Sequence, residues 1–120
     1  MDDEETLLKT AQRMLERLGH TVETAPNGRD AIDKYVAAKQ KGHPFDVTIM
    51  DLTIPGGMGG EETIKEILKL DPEAKAIVAS GYSSDPVISD FATYGFCGYL
   101  VKPFSMQELD KAIANTVAIC

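Results

Sequence analysis

The sequence predicts an α/β domain, an open parallel sheet covered by helices on both faces, and three observations carry that expectation. Short β-branched or apolar runs alternate along the chain with segments of helical periodicity. The run Phe45 to Met50 is too short for a helix and has the apolar character of a strand buried on both faces of a parallel sheet. Turn and capping residues stand at the borders between segments, and no internal repeat or low-complexity tract competes with this organisation. Regular alternation of this kind implies right-handed βαβ crossovers.

Taken in order, Leu7 or Leu8, Ala11, Leu15 and Leu18 recur at helical spacing, which predicts a helix from about Glu4 to Leu18 with Gly19 as the left-handed residue that stops it. Thr21 to Thr24 is short, β-branched and alternating, the pattern of a strand. Pro26-Asn27-Gly28 is a turn from which Asn27 or Asp30 can cap a second helix, with Ala31, Ile32, Tyr35 and Val36 facing inward. Gly42-His43-Pro44 breaks that helix before the buried strand, which ends at Asp51. After the loop Ile54 to Gly60 comes a helix carrying Ile64, Ile67 and Leu68, stopped by Asp71-Pro72. Ala76 to Ala79 reads as a strand, and Asp85-Pro86 as an N-cap with proline at the first helical position of a helix bearing Val87, Ile88, Phe91 and Ala92. Gly98 to Val101 is the last strand. Ser105-Met106-Gln107-Glu108 is a capping box opening a final helix expected to bury Met106, Leu109, Ile113 and Val117.

The chain has 120 residues, which suits one domain spanning residues 1–120. Its 12 Lys and Arg against 19 Asp and Glu give a net charge of −7, a surface that repels nucleic-acid backbones and anionic lipids, so neither direct nucleic-acid nor membrane binding is expected. The acidic start Met1-Asp2-Asp3-Glu4-Glu5 is the opposite of a signal peptide, and no stretch has the length of a membrane span, which points to the cytoplasm. Cys97 and Cys120 have no metal-ligand spacing, and the apolar neighbours of Cys97 suggest a buried thiol in a reducing compartment. His20 and His43 fall in turns with no partner spacing for a metal or a nucleophilic triad.

Ligands of open α/β sheets bind beyond the carboxyl ends of the strands, and here those ends carry Asp51, Ser80 and Lys102 in succession, with Asp2 and Asp3 just before the first helix. Converging carboxylates repel one another unless a cation is present, and hard oxygen ligands suit Mg²⁺. A carboxylate can also serve as nucleophile and form an aspartyl phosphate. Lys102 could neutralise phosphoryl charge, and the Ser80 hydroxyl could donate to a phosphoryl oxygen. Singly, each residue has an ordinary reading as a turn former, a cap or a solvated side chain, and Asp2 to Glu5 would also serve as a negative first turn for the helix dipole.

In order and spacing, the Asp2-Asp3 pair, Met50-Asp51-Leu52, Val78-Ala79-Ser80-Gly81 and Val101-Lys102-Pro103 resemble a two-component response-regulator receiver domain of the CheY-like type over essentially the whole chain. The resemblance implies a flavodoxin-like doubly wound sheet of strand order 2-1-3-4-5 and a phospho-acceptor rather than an enzyme. It implies phosphorylation on Asp51, Mg²⁺ held by Asp2, Asp3, Asp51 and the Thr53 backbone carbonyl, and a phosphoryl contact from Lys102. Ser80 with Tyr99 would form the switch pair, remodelling the face made by the family's fourth helix, fifth strand and fifth helix. A histidine kinase or phosphotransfer domain would be the donor, and a downstream output domain or protein the receiver of the signal. Lys102-Pro103 resembles the family's cis bond, and Pro55-Gly56-Gly57-Met58-Gly59-Gly60 resembles receivers fused to hybrid sensor kinases.

The sequence departs from this pattern at its start. Family members carry a buried apolar strand before the acidic pair, and only Met1 stands there. Its loss would leave two neighbouring strands without their shared partner. The expectation is a truncated chain whose native gene starts upstream, with a homo-oligomer or strand-exchanged dimer as consequence and Asp2 and Asp3 on a loose terminus that binds Mg²⁺ weakly. Two rivals differ in class. A haloacid-dehalogenase-type phosphatase needs a second Asp two residues after the nucleophile, where Thr53 stands. A pseudo-receiver would keep the fold as an unphosphorylated binding module.

Overall fold

A computed structural model describes residues 1–119, and Cys120 lies outside the described residues. The elements run α1 (Glu5–Arg17), α2 (Gly28–Gln40), β1 (Thr48–Asp51), α3 (Gly60–Leu70), β2 (Ala76–Ser80), α4 (Pro86–Ser89), β3 (Gly98–Val101) and α5 (Met106–Ile119). Among the described residues the sheet has three strands in the order β1-β2-β3, all parallel. Thr48 lies opposite Ala76 and Asp51 opposite Ala79, while Ser80 lies opposite Val101, so the carboxyl ends of the three strands finish side by side.

Alternate strand residues feed two apolar layers, as a period of two requires. Met50, Ala76 and Val78 meet Tyr35 of α2, Ile64 and Ile67 of α3, and Val87 and Ile88 of α4. Ile77, Ala79 and Leu100 meet Leu109 and Ile113 of α5, with Met14 and Leu15 of α1 at the margin. Ile64, Ile67, Ile77 and Leu109 are fully buried, each contributing about 1.5–3 kcal/mol relative to exposure.

Local capping chemistry holds where the sequence places it. Asn27 accepts from Asp30 N–H at the start of α2, and Asp85 accepts from Val87 N–H at the start of α4. Ser105 and Glu108 bond reciprocally, each backbone N–H donating to the other's side chain at 3.1 Å.

Several expectations are corrected. Residues 21–24 form no strand; Thr24 C=O accepts from Lys34 Nζ and the following Ala25 C=O accepts from Asp2 N–H at 3.1 Å, and a strand exists only where a neighbour supplies a ladder. The strand expected over Phe45 to Met50 starts at Thr48. The helix opened by Asp85 ends at Ser89, because the chain then winds through turns in which Phe91 C=O accepts from both Tyr94 and Phe96 N–H. On α5 the buried stripe is Leu109, Ile113 and Thr116; Met106 and Val117, expected inside, lie on its flanks and are exposed. Cys97 is half-buried and disulfide-bonded, not the buried free thiol expected. No helix among the described residues is long and apolar enough to cross a membrane.

Candidate functional site

Each strand delivers one side chain to the same end of the sheet. Asp51 closes β1 and is 9% exposed. The ladder continues past it, with Leu52 N–H donating to Ala79 C=O at 2.9 Å, so the backbone on both sides of Asp51 is fixed. Ser80 closes β2 and is buried. Lys102 follows β3 directly, its N–H donating to Ser80 C=O at 2.8 Å, and the Lys102-Pro103 bond is cis.

Asp2 reaches the same place from the other side. The Met1 nitrogen donates to Ile49 C=O at 2.7 Å and Asp51 N–H donates to Met1 C=O at 2.9 Å, which seats residue 1 against the edge of β1. Asp2 N–H is held by Ala25 C=O, its Oδ1 accepts from Glu4 N–H at 3.0 Å, and it is 8% exposed. The loose terminus expected for Asp2 is therefore not what the structure contains: backbone bonds to two segments fix it. Asp3 is exposed.

Lys102 Nζ bridges the two buried carboxylates, donating to Asp2 Oδ2 at 2.6 Å and lying 2.9 Å from Asp51 Oδ1. Asp2, Asp3 and Asp51 can each turn one oxygen into a group whose members lie within 4.8 Å of one another. Burial pushes the Asp51 carboxyl above its ordinary value; Lys102 opposes that shift, while Asp2 and Asp3 add to it. Burial alone would lower the Lys102 ammonium, but its bonds to Asp2 and Asp51 outweigh it and leave Lys102 raised and charged. A lysine shared between two carboxylates is the protein's own partial answer to a surplus of negative charge, and a hard divalent cation with oxygen ligands answers it more fully. The donor set fits Mg²⁺.

The remaining expected residues are near but not joined. Ser80 Oγ accepts from Tyr82 N–H at 3.2 Å. Tyr99, 48% exposed, turns its ring to Phe91 at a centroid distance of 5.6 Å. Tyr99 pairs in register with Val78, and Ser80 pairs with Val101, so the two proposed switch residues sit two residues out of register on neighbouring strands. Thr53 stands in the exposed turn after β1. Reasoning from sequence missed the anchoring of residue 1 on β1 and the direct Lys102–Asp2 pair, contacts between residues 48 and 100 positions apart that carry no local signal.

Comparison with known proteins agrees with this geometry. The model of the response regulator receiver domain family matches residues 1–114. The chemotaxis protein CheY of Thermotoga maritima is 32% identical over 114 residues, covering 94% of this chain and 90% of that protein. The sensor kinase CckA of Brucella abortus is 29% identical over 113 residues, 94% of this chain but 12% of that much longer protein. Among solved structures, the response regulator protein TrrA of Thermotoga maritima in complex with Mg(2+)-BeF superposes with a TM-score of 0.80 at 30% identity, covering 96% of this chain and 93% of that one.

Proposed function

The chain belongs to the response regulator receiver domain family, and on that footing we propose that it is the phosphoryl-accepting switch of a two-component phosphorelay, with Asp51 as acceptor. The observation that carries this reading is the bridge of Lys102 between Asp51 and Asp2 inside a group of three convergent carboxylates at the strand ends. A half-buried, charged lysine in contact with the acceptor is already positioned to follow negative charge as it moves onto a phosphoryl oxygen.

In the proposed reaction a carboxylate oxygen of Asp51 attacks phosphorus as the bond from phosphorus to the histidine nitrogen of the donor breaks. The departing imidazole keeps the electron pair of that bond and takes up a proton. Asp2, Asp3, Asp51 and the Thr53 carbonyl would hold Mg²⁺, which supplies charge neutralisation between these carboxylates and the incoming phosphoryl group. Lys102 gives up its bond to Asp51 and pairs with a phosphoryl oxygen, keeping Asp2 as its second partner. Ser80 rotates its hydroxyl from Tyr82 N–H toward the phosphoryl group, and Tyr99 leaves Phe91 for the space vacated. The output is a change in the face made by α4, β3 and α5, read by a downstream domain or protein, and thus a population shift rather than substrate turnover.

A cytoplasmic histidine kinase or phosphotransfer domain is the proposed donor, and the domain is proposed to occupy residues 1–120. The test is the intact mass of the chain after incubation with a small phosphodonor, with and without Mg²⁺, beside Asp51→Asn. A Mg²⁺-dependent gain of one phosphoryl group that is absent from Asp51→Asn supports the reading. No gain in folded protein overturns it and leaves the pseudo-receiver, a binding module without phosphorylation.

A further inference from the structure

We propose that Gly28 and Thr63 are positioning residues that clamp the loop leaving β1 and so hold the backbone beside Asp51 in its metal-binding arrangement; this rests on the acceptor-pocket reading above. Neither residue belongs to the pocket. Gly28 opens α2 on the far side of the loop, and Thr63 lies in the first turn of α3.

The loop between β1 and α3 carries Gly56, Gly57 and Gly59, and such a segment has many backbone states to lose. Something must select one of them if a loop carbonyl is to serve as a fixed ligand. Two fastenings do so here. Gly28 N–H donates to Met58 C=O at 2.9 Å, tying the loop to the N-terminus of α2. Thr63, fully buried, donates from Oγ1 to Gly59 C=O at 2.7 Å, and its N–H donates to the same oxygen at 3.0 Å.

The packing shows how little tolerance there is. A Cβ at position 28 would stand 2.0 Å from Thr63 Oγ1, 2.7 Å from Met58 Cγ and 2.8 Å from the Met58 carbonyl oxygen. A Cβ at position 59 would stand 2.4 Å from the Leu52 carbonyl oxygen. A continuous line of contact therefore runs from Gly28 and Thr63 through Met58 and Gly59 to the Leu52 carbonyl, which belongs to the peptide unit joining Leu52 to Thr53. Sequence alone shows Asn27-Gly28 as a turn and Thr63 as one more helical residue. The demand for no side chain at 28 and a hydroxyl at 63 exists only once the loop is folded back between them.

The experiment measures three quantities on the whole chain: Mg²⁺ affinity by calorimetry, the Mg²⁺ concentration that half-saturates phosphoryl uptake from a small donor, and Tm. Thr63→Val keeps the volume and removes the donor to Gly59. It is expected to weaken Mg²⁺ binding about 10-fold and raise the half-saturating concentration by the same factor, with the rate at saturating Mg²⁺ close to that of the parent. Thr63→Ser keeps the hydroxyl and is expected to stay within about twofold of the parent. Gly28→Ala is expected to match or exceed Thr63→Val, and if it fails to fold the two Thr63 variants decide alone. Leu109→Ala, on the opposite face of the sheet, controls for instability: it lowers Tm without moving Mg²⁺ affinity. A folded Thr63→Val protein with the parent's Mg²⁺ affinity overturns the clamp, whatever its Tm. A parent that neither binds Mg²⁺ nor takes up a phosphoryl group overturns the pocket reading, and the clamp with it.

Discussion

Met50 and Asp51 are adjacent on β1 and nearly equally hidden from solvent, at 1% and 9% exposure, yet they belong to regions built on opposite physics. Met50 joins Ile64, Ile67 and Val78 in a layer where every buried atom adds to stability. Asp51 joins Asp2 and Lys102 in a pocket where burial opposes the charged form. The first region is made to keep one structure; the second is held in an arrangement it would not choose for itself, ready for an added charge to change it. The strand ends can afford this because the layer one residue away supplies the rigidity.

The largest expected effect breaks the pocket and leaves the layer. Asp51→Asn removes the acceptor, so phosphoryl uptake measured by intact mass falls to zero. It also removes a buried charge that the fold disfavours, while Lys102 keeps Asp2 at 2.6 Å, so in metal-free buffer its Tm rises by a few degrees. An unchanged or lower Tm would show that the Lys102 bridge outweighs desolvation and that the pocket is not a region of net cost.

The next effect breaks the layer and leaves the pocket. Ile67→Ala empties part of a fully buried site and is expected to cost about 2–5 kcal/mol in urea unfolding. Phosphoryl uptake per folded molecule should stay at the parent level. A matching loss of uptake would mean that the two regions are not separable.

How much of this contrast the sequence reveals depends on the distance over which each contact acts. The helix starts at Asn27, Asp85 and Ser105 are legible because a cap bonds within two or three residues. Asp51, Ser80 and Lys102 are legible because parallel strands bring their carboxyl ends to one side whatever the packing. Residues 21–24 have the composition of a strand and form none, since pairing depends on a neighbour that the segment itself does not encode. Phe91 continues the helical period in the sequence although α4 ends at Ser89; in the structure its ring meets Tyr99 and its carbonyl accepts turn hydrogen bonds, long-range and turn contacts that periodicity does not encode. Thr116 rather than Val117 is buried on α5 because the stripe follows Leu109 and Ile113 around the helix, and apolarity alone does not fix its phase.

A smaller effect adds pH to the comparison. Tyr35 is buried in the apolar layer but its hydroxyl donates to Asp71 Oδ2 at 2.8 Å, where α3 ends. That bond is the main cause holding the Asp71 carboxyl below its ordinary value of 3.8. A lowered folded pKa gives stability that is present above the ordinary value and lost as pH falls through the lowered one. Tyr35→Phe is therefore expected to cost about 1–2 kcal/mol at pH 7 and progressively less in acid. Burial, with Asp71 beside it, pushes the Tyr35 hydroxyl well above 10.0, so the parent should also lose stability above that pH while Tyr35→Phe does not lose this contribution. Denaturant midpoints across pH test both limbs, and parallel curves for parent and variant would remove Asp71 as the partner.

The smallest effect concerns the boundary between the two regions. Ser105 and Glu108 cap α5 only a few residues after Lys102, so a frayed first turn has a short path to the pocket. Lys102 nevertheless has its own backbone anchor, the 2.8 Å bond from its N–H to Ser80 C=O, and two carboxylates on its side chain. If those anchors suffice, Ser105→Ala costs about 1 kcal/mol of stability through the lost cap and leaves phosphoryl uptake unchanged. Uptake that falls in a protein still folded would place the first turn of α5 among the supports of Lys102. The pocket would then borrow rigidity from a helix end as well as from the strands, because a charge held by several weak tethers moves when any one of them loosens.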